Sequence, residues 1–329
     1  MVDETFFSLY SSILYVMEAG NISVKPLCIY IIITKTPKYM QSVSYLILNE
    51  LLWTFVGNLL FTLGHPLPML PAVCFRMDGV VGYLLKTELQ RSIYFTVIVA
   101  AALNCALAFA LTFLYRYVTI AYSSFTSQLN KAWCYLCFII AHLVLSLIIV
   151  YGIYIWRLPI SEYPVVDLPD STRNLFCYHP VGIKIIIVFY GFYALLGAAT
   201  SFILLLGGLS VRELRTKSQY MEKTTLSMQK EVLKNLLITT GVAFFLGDIP
   251  LFILIFYLYN NKLPFARTIA SGLMLCTVNF GTVYALVILV RFKPYREAFL
   301  DLARSARNIL RKLVREEKPL NSVSSHTFF

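Results

Sequence analysis

The sequence predicts an all-α membrane protein in which seven transmembrane helices form a bundle. The first observation is composition, because 58% of the 329 residues are hydrophobic and only 14% are charged. Soluble domains carry about 45–50% apolar and about 25% charged residues, so this chain needs a bilayer to cover its apolar surface. The second observation is a series of seven apolar segments, and the third is the uneven placement of the basic residues.

Each apolar segment approaches the roughly 20 residues that a helix needs to cross about 30 Å of hydrocarbon. The segment 66–90 contains prolines and scattered charges, which favour a long connection with some apolar packing over an eighth span. Asp3 and Glu4 stand where a signal peptide has basic residues, so we expect the first segment to be retained as a signal anchor. The predicted spans are about 11–33, 44–64, 91–114, 133–155, 183–207, 234–259 and 267–290.

The orientation follows from the basic residues. The segments 34–43, 115–132, 208–234 and everything after residue 290 together hold 19 of the 28 lysines and arginines. Basic residues are retained on the cytoplasmic side of a membrane. These segments are therefore predicted to be cytoplasmic, with the N-terminus outside and the C-terminus inside.

Three regions are predicted along the chain: a transmembrane domain at 1–290, an amphipathic helix at 291–318 and a disordered tail at 319–329. The middle region has apolar residues at helical spacing with basic residues between them, a pattern typical of helices that lie in the membrane interface. A solvated charged tail is the alternative. The apolar positions are Phe299, Leu302, Ala306, Ile309, Leu310 and Leu313.

Asp248 is the most informative polar residue, because it lies inside the sixth apolar segment and two residues before Pro250. A carboxylate at mid-membrane costs about 2.5–3.5 kcal/mol on insertion scales, so it should face the bundle interior. Proline removes a backbone hydrogen bond and bends its helix. Asp248 is predicted either to line a ligand pocket beside a hinge or to bond to another helix.

Other polar residues fall within the predicted helices. Asn104 and His142 lie near mid-span in the third and fourth, where each could contact a ligand or bond between helices. Glu18, Asn21 and Lys25 share one face of the first helix, which is predicted to look into the bundle and to pair with other helices, with a role in a ligand pocket as the alternative. A further polar cluster is predicted from Glu50, Asn58 and Asn279.

Cys74 and Cys177 are the two cysteines in predicted loops, and both loops are predicted to lie outside the cell. Disulfides form in that oxidising compartment. A bridge between them would tie the loop 156–182 to the top of the bundle, and two independent thiols are the alternative.

Motifs for enzymatic chemistry are missing from the sequence, which contains no GxSxG, HExxH, P-loop or paired-carboxylate pattern. Residues 267–290 contain no lysine that could carry retinal. We therefore expect no enzyme activity, no cofactor, no metal and no nucleic-acid partner. A transporter or ligand-gated channel subunit is the alternative, although no internal repeat supports it.

Two stretches carry a resemblance to a known family. TKTPKYMQSVSYLILNELLW at 34–53 and KPYREAF at 293–299, with prolines at 66, 68 and 71, resemble the nematode serpentine chemoreceptors, most closely the Srh class. The resemblance implies a seven-helix G-protein-coupled receptor of sensory neurons and their cilia. Its partners would be small environmental molecules, a heterotrimeric G protein and the lipid bilayer.

The resemblance also implies a role in G-protein coupling for Arg116 and its neighbour Tyr115, at the predicted cytoplasmic end of the third helix. Arginine can form several hydrogen bonds at once. A plain positive anchor is the alternative for Arg116. The sequence departs from the expected patterns in two places: no acid precedes Arg116, and NFGTVY at 279–284 lacks the Asn-Pro-x-x-Tyr pattern of rhodopsin-like receptors.

Overall fold

The computed structural model describes residues 2–122, 131–164, 168–169 and 171–316. Within these ranges seven helices are long and apolar enough to cross a membrane, which confirms the predicted bundle. The predicted disordered tail, 319–329, lies outside the described residues. The first to seventh spanning helices are Val2–Lys35, Gln41–Gly64, Glu88–Ala121, Lys131–Trp156, Ile183–Thr216, Lys223–Tyr259 and Ala266–Arg291.

Most of the helices extend beyond the apolar segments that predict them. The third helix runs to Ala121 and the sixth begins at Lys223, whereas the apolar segments end at 114 and begin at 234. Charged and polar residues continue a helix once it leaves the hydrocarbon, so hydropathy marks the membrane crossing and not the helix end. Tyr115 and Arg116, predicted near the start of a loop, therefore lie within the third helix.

A four-stranded antiparallel sheet covers one end of the bundle and was not predicted. Its strands are β1 Pro66–Pro68, β2 Cys74–Met77, β3 Arg157–Leu158 and β4 Leu175–Tyr178, in the order β1-β2-β4-β3. The connection 66–90 thus forms two strands and a short helix, Val80–Leu84, and contains no eighth span. We call this end of the bundle the sheet end.

The sheet packs onto the helices through aromatic rings. Phe75 of β2 lies 4.5 Å from Phe95 of the third helix, and Tyr178 of β4 stacks on Trp156 at 4.3 Å between ring centroids. All residues of β1 and β4 are buried. Aromatic rings contribute large buried areas, so these contacts fix the sheet against the bundle.

The opposite end of the bundle, which we call the tail end, carries the tail helix Lys293–Glu316. Tyr295 at its start is fully buried, and its hydroxyl lies 3.0 Å from the Thr36 hydroxyl of the connection between the first two helices. Further along, Leu302, Ile309 and Leu310 are exposed. The tail helix is therefore fixed to the bundle at its first turn and leaves an apolar stripe uncovered.

The fourth helix shows where the bilayer lies. Large apolar side chains along its length are exposed, and only a few of its residues are buried. An exposed apolar surface of this length is typical of a lipid-facing helix. The most exposed examples are Ile139, Leu143, Leu147, Tyr151 and Tyr154.

Candidate functional site

A cavity of about 190 Å³ lies inside the bundle, below the sheet. Side chains from the second to the seventh helices form its wall, and Phe75 of β2 and Trp156 of the fourth helix lie in it at the sheet end. Almost all of its surface is apolar, and Asp248 lies in the wall. The cavity is a partly enclosed site for a small molecule, with one carboxylate facing into it.

The irregular sixth helix explains how Asp248 reaches the cavity. Phe244–Asp248 form a π-helical turn between the regular segments Lys223–Ala243 and Ile249–Tyr259. π turns are frequent at functional sites because the extra residue rotates the side chains that follow it. Gly247 in this turn faces Phe280 of the seventh helix, where an added Cβ would lie 3.5 Å from the ring.

Pro250 leaves one carbonyl of this helix without its usual partner, since proline has no N–H to donate to the residue four positions earlier. That carbonyl belongs to Leu246, and the Cys276 thiol of the seventh helix lies 3.8 Å from it as a donor. A weak thiol hydrogen bond thus links the sixth and seventh helices beside the cavity.

Asn104 and His142 lie behind the cavity wall, outside its lining. The His142 Nδ1 atom is 2.7 Å from Asn104 Oδ1, and Asn104 Nδ2 donates to the Ser146 hydroxyl at 2.9 Å. The other ring nitrogen of His142 lies 3.4 Å from Asn49 Nδ2. The structure therefore brings these two residues together as links between the second, third and fourth helices.

The predicted polar face of the first helix points into the bundle, as expected. Glu18 accepts hydrogen bonds from Asn21 and Thr62, each at 3.0 Å. Lys25 is completely buried and donates to the Thr54 carbonyl oxygen at 2.9 Å. Gly281 makes room for this ammonium, because an added Cβ there would lie 2.6 Å from Lys25 Nζ.

Glu50 and Asn58, which were predicted to share a polar network with Asn279, bond to different partners and each link helices. Asn58 donates to the backbone oxygen of Val278 at 2.6 Å, one residue before Asn279. Glu50 instead accepts from the Thr112 hydroxyl at 2.5 Å and from the Tyr284 hydroxyl. Glu50 therefore joins the second, third and seventh helices in the tail-end half of the bundle.

Arg116 lies at the tail end of the third helix and is only 3% exposed. Its guanidinium donates to Gln229 Oε1 of the sixth helix at 2.8 Å. Tyr115 beside it is half-buried. The sequence could not assign Gln229, because nothing in its local pattern distinguishes it from other polar residues of that segment.

A second link at the tail end comes from Lys217, which follows the fifth helix. Its ammonium donates to the carbonyl oxygens of Ile120 and Ala121 at 2.8 and 2.7 Å. These carbonyls end the third helix and have no partner within it, so a lysine there also complements the helix dipole. The third helix is thus attached to both the fifth and the sixth.

At the sheet end, a disulfide joins Cys74 to Cys177, which face each other across β2 and β4. It connects the segment after the second helix to the segment before the fifth.

His65, which follows the second helix, packs edgewise against Tyr15 at 4.9 Å between ring centroids. Burial lowers the pKa of His65, and the nearby Asp78 carboxylate opposes that effect.

The seven helices and the cavity between them define a polytopic membrane protein with an internal site. The family model described as serpentine type 7TM GPCR chemoreceptor Srh matches residues 7–305. The chain belongs to this Srh family of serpentine seven-transmembrane chemoreceptors. A comparison with curated proteins finds no match.

Membership of the Srh family establishes that this chain is a multi-pass protein of the plasma membrane. The Srh family is a family of receptors, not of enzymes. The two stretches that carry the sequence resemblance meet in the structure, since Thr36 of the first lies against Tyr295 of the second. Their contact holds the tail helix on the connection between the first two spanning helices.

Proposed function

We propose that this chain is a chemosensory G-protein-coupled receptor that binds small environmental molecules in the cavity and activates a heterotrimeric G protein at its tail end. The observation that supports this most is the sixth helix. It carries Asp248 in the cavity wall and Gln229 on Arg116, 19 residues apart, or about 28 Å along a helix.

One helix thus contacts both candidate sites, and its irregular turn lies at the cavity. A ligand that prefers one position of this helix changes the affinity of the tail end for its partner, and the reverse holds by thermodynamic linkage. The hydrogen bond between Arg116 and Gln229 belongs to the closed position, since it ties the sixth helix to the third.

The orientation is part of the proposal. The tail end faces the cytoplasm, because it carries most of the basic residues, and the disulfide-linked sheet faces the outside. The exposed apolar stripe of the tail helix then lies on the inner membrane surface, with its basic residues toward lipid headgroups.

The test is nucleotide exchange on a heterotrimeric G protein by the purified receptor in nanodiscs. In the open position the Arg116 guanidinium is released from Gln229 and contacts the G protein. The wild-type protein should accelerate exchange, and Arg116→Ala should lose that acceleration, because it removes this contact, while the cavity still binds small molecules. A protein that leaves exchange unchanged for every G-protein class, with or without an environmental-compound library, would contradict the proposal.

A further inference from the structure

Asp248 brings a negative charge to the cavity that no cation in the wall balances, although the Thr200 hydroxyl of the fifth helix lies beside it. Among the residues that line it in the described part of the chain there is no lysine, arginine or histidine. Asp248 takes part in none of the ion pairs between described residues. A carboxylate that faces apolar surroundings is unfavourable until a cation or several hydrogen-bond donors reach it.

The lysine and the arginine that are buried in the described spanning helices are engaged elsewhere. Lys25 donates to the Thr54 carbonyl oxygen, and Arg116 donates to Gln229 at the tail end. Neither residue lines the cavity. The cation that Asp248 lacks therefore has to come from the molecule that enters.

The cavity wall is also suited to a cation with a hydrophobic body. Aromatic rings come from several elements, among them Trp53, Phe109 and Phe192. Phe280 lines the cavity too and packs against Gly247, the residue immediately before Asp248. Ring faces attract ammonium groups within about 6 Å, and they accept apolar groups equally well.

The volume limits the size of the ligand. A protein cavity of about 150 Å³ holds benzene, so this one of about 190 Å³ has room for one ring and a short chain. A molecule of about eight to ten non-hydrogen atoms fills such a space.

From these observations we infer that the cavity binds small hydrophobic monoamines in their protonated form. The ammonium pairs with the Asp248 carboxylate, and the hydrocarbon part lies among the aromatic rings. This inference rests on the proposed function, because it names the class of molecule that the receptor senses. It goes further by excluding acids and by ranking an amine above its neutral analogue.

The experiment measures binding of three probes to the purified full-length receptor in nanodiscs at neutral pH, by calorimetry and by thermal shift. The probes are 2-phenylethylamine, 2-phenylethanol and phenylacetate, which share a ring and a short chain and differ in charge. The amine should bind at least about tenfold more tightly than the alcohol. Phenylacetate should not bind.

Variants test whether the preference for the amine over the alcohol depends on the Asp248 carboxylate. Asp248→Asn should weaken the amine about tenfold or more and leave the alcohol unchanged, whereas Asp248→Glu should retain the preference for the amine. Glu18→Gln is the matched control, because it removes a buried carboxylate that accepts bonds from Asn21 and Thr62 and does not line the cavity. Its preference for the amine should be unchanged.

Equal binding of alcohol and amine, unaffected by Asp248→Asn, would overturn the inference and leave the proposed function standing. The same holds if none of the probes binds while the receptor still accelerates nucleotide exchange with another class of compound. If Asp248→Asn does not fold, the ranking of the three probes on the wild-type protein and on Asp248→Glu decides the question.

Discussion

The two ends of the bundle satisfy their polar groups differently. At the tail end, Arg116 bonds to Gln229, Lys217 bonds to two carbonyls, and Glu50 accepts from Thr112 and Tyr284. Each contact joins different helices. Toward the sheet end, Asp248 faces the cavity, which has no basic residue in its wall.

This difference between the two ends indicates that one end changes helix positions and the other binds a ligand. Polar groups that bond across helices hold one arrangement of the bundle, and breaking them changes that arrangement. A polar group that faces empty space instead leaves its interaction for an incoming molecule. The tail end is thus built for a change of helix positions, and the cavity is built for binding, with a rigid disulfide-linked sheet above it.

Removing the disulfide should produce the largest effect. Loss of a native disulfide costs about 2–5 kcal/mol in small secreted domains, and here it would release the sheet that closes the cavity. Cys74→Ser, Cys177→Ser and the double variant should lose the same fraction of surface expression, since each breaks the same bond. Losses that add in the double variant would mean that the two thiols act independently.

The next effect concerns the link between the third and sixth helices. A buried hydrogen bond to a charged group contributes about 1.5–3 kcal/mol, so Gln229→Ala should shift the helix equilibrium more than about tenfold. We expect higher basal nucleotide exchange and, by the same linkage, tighter amine binding. Gln219→Ala, which changes an exposed glutamine at the same end, is the control. Unchanged basal exchange in Gln229→Ala would show that this contact does not restrain the sixth helix.

A smaller effect is expected where the first, second and seventh helices meet. Gly281→Ala would place a methyl group 2.6 Å from Lys25 Nζ, and overpacking of this kind costs about 1–3 kcal/mol. Gly272→Ala on the same helix is the control, because its Cβ would meet nothing within 4 Å. Thermal unfolding should separate the two variants. Equal unfolding temperatures would mean that Lys25 moves aside without cost.

The spans and the inward-facing residues could be predicted because they depend on local chemistry. Twenty apolar residues identify a membrane crossing, and helical spacing places Glu18, Asn21 and Lys25 on one face, which is buried in the structure. Asp248 was expected to face the interior from the cost of a charge in lipid, and it lines the cavity.

The partners of these residues could not be predicted, since they depend on how each helix is rotated against its neighbours. Glu50 was grouped with Asn58 by position, yet it bonds to Thr112, which is 62 residues away. The sheet was missed for a different reason. Its strands have two to four residues, and β1 contains two prolines, so no alternating pattern exists to be recognised.

The smallest predicted effect is a pH dependence confined to the sheet end. Burial lowers the folded-state pKa of His65 below its ordinary value of about 6.5, so the unfolded chain takes up a proton first as the pH falls. The contribution of His65 to stability should be constant above about pH 6.5 and decrease as the pH falls toward the folded-state pKa. His65→Asn should reduce this decrease in thermal unfolding, because asparagine tolerates the positive φ of 48° at this position and does not titrate. His179→Asn is the comparison, since burial and the neighbouring Lys184 also lower the pKa of His179. If both His65→Asn and His179→Asn retain the full acid sensitivity, the decrease arises elsewhere, and the sheet end is no more sensitive to acid than the tail end.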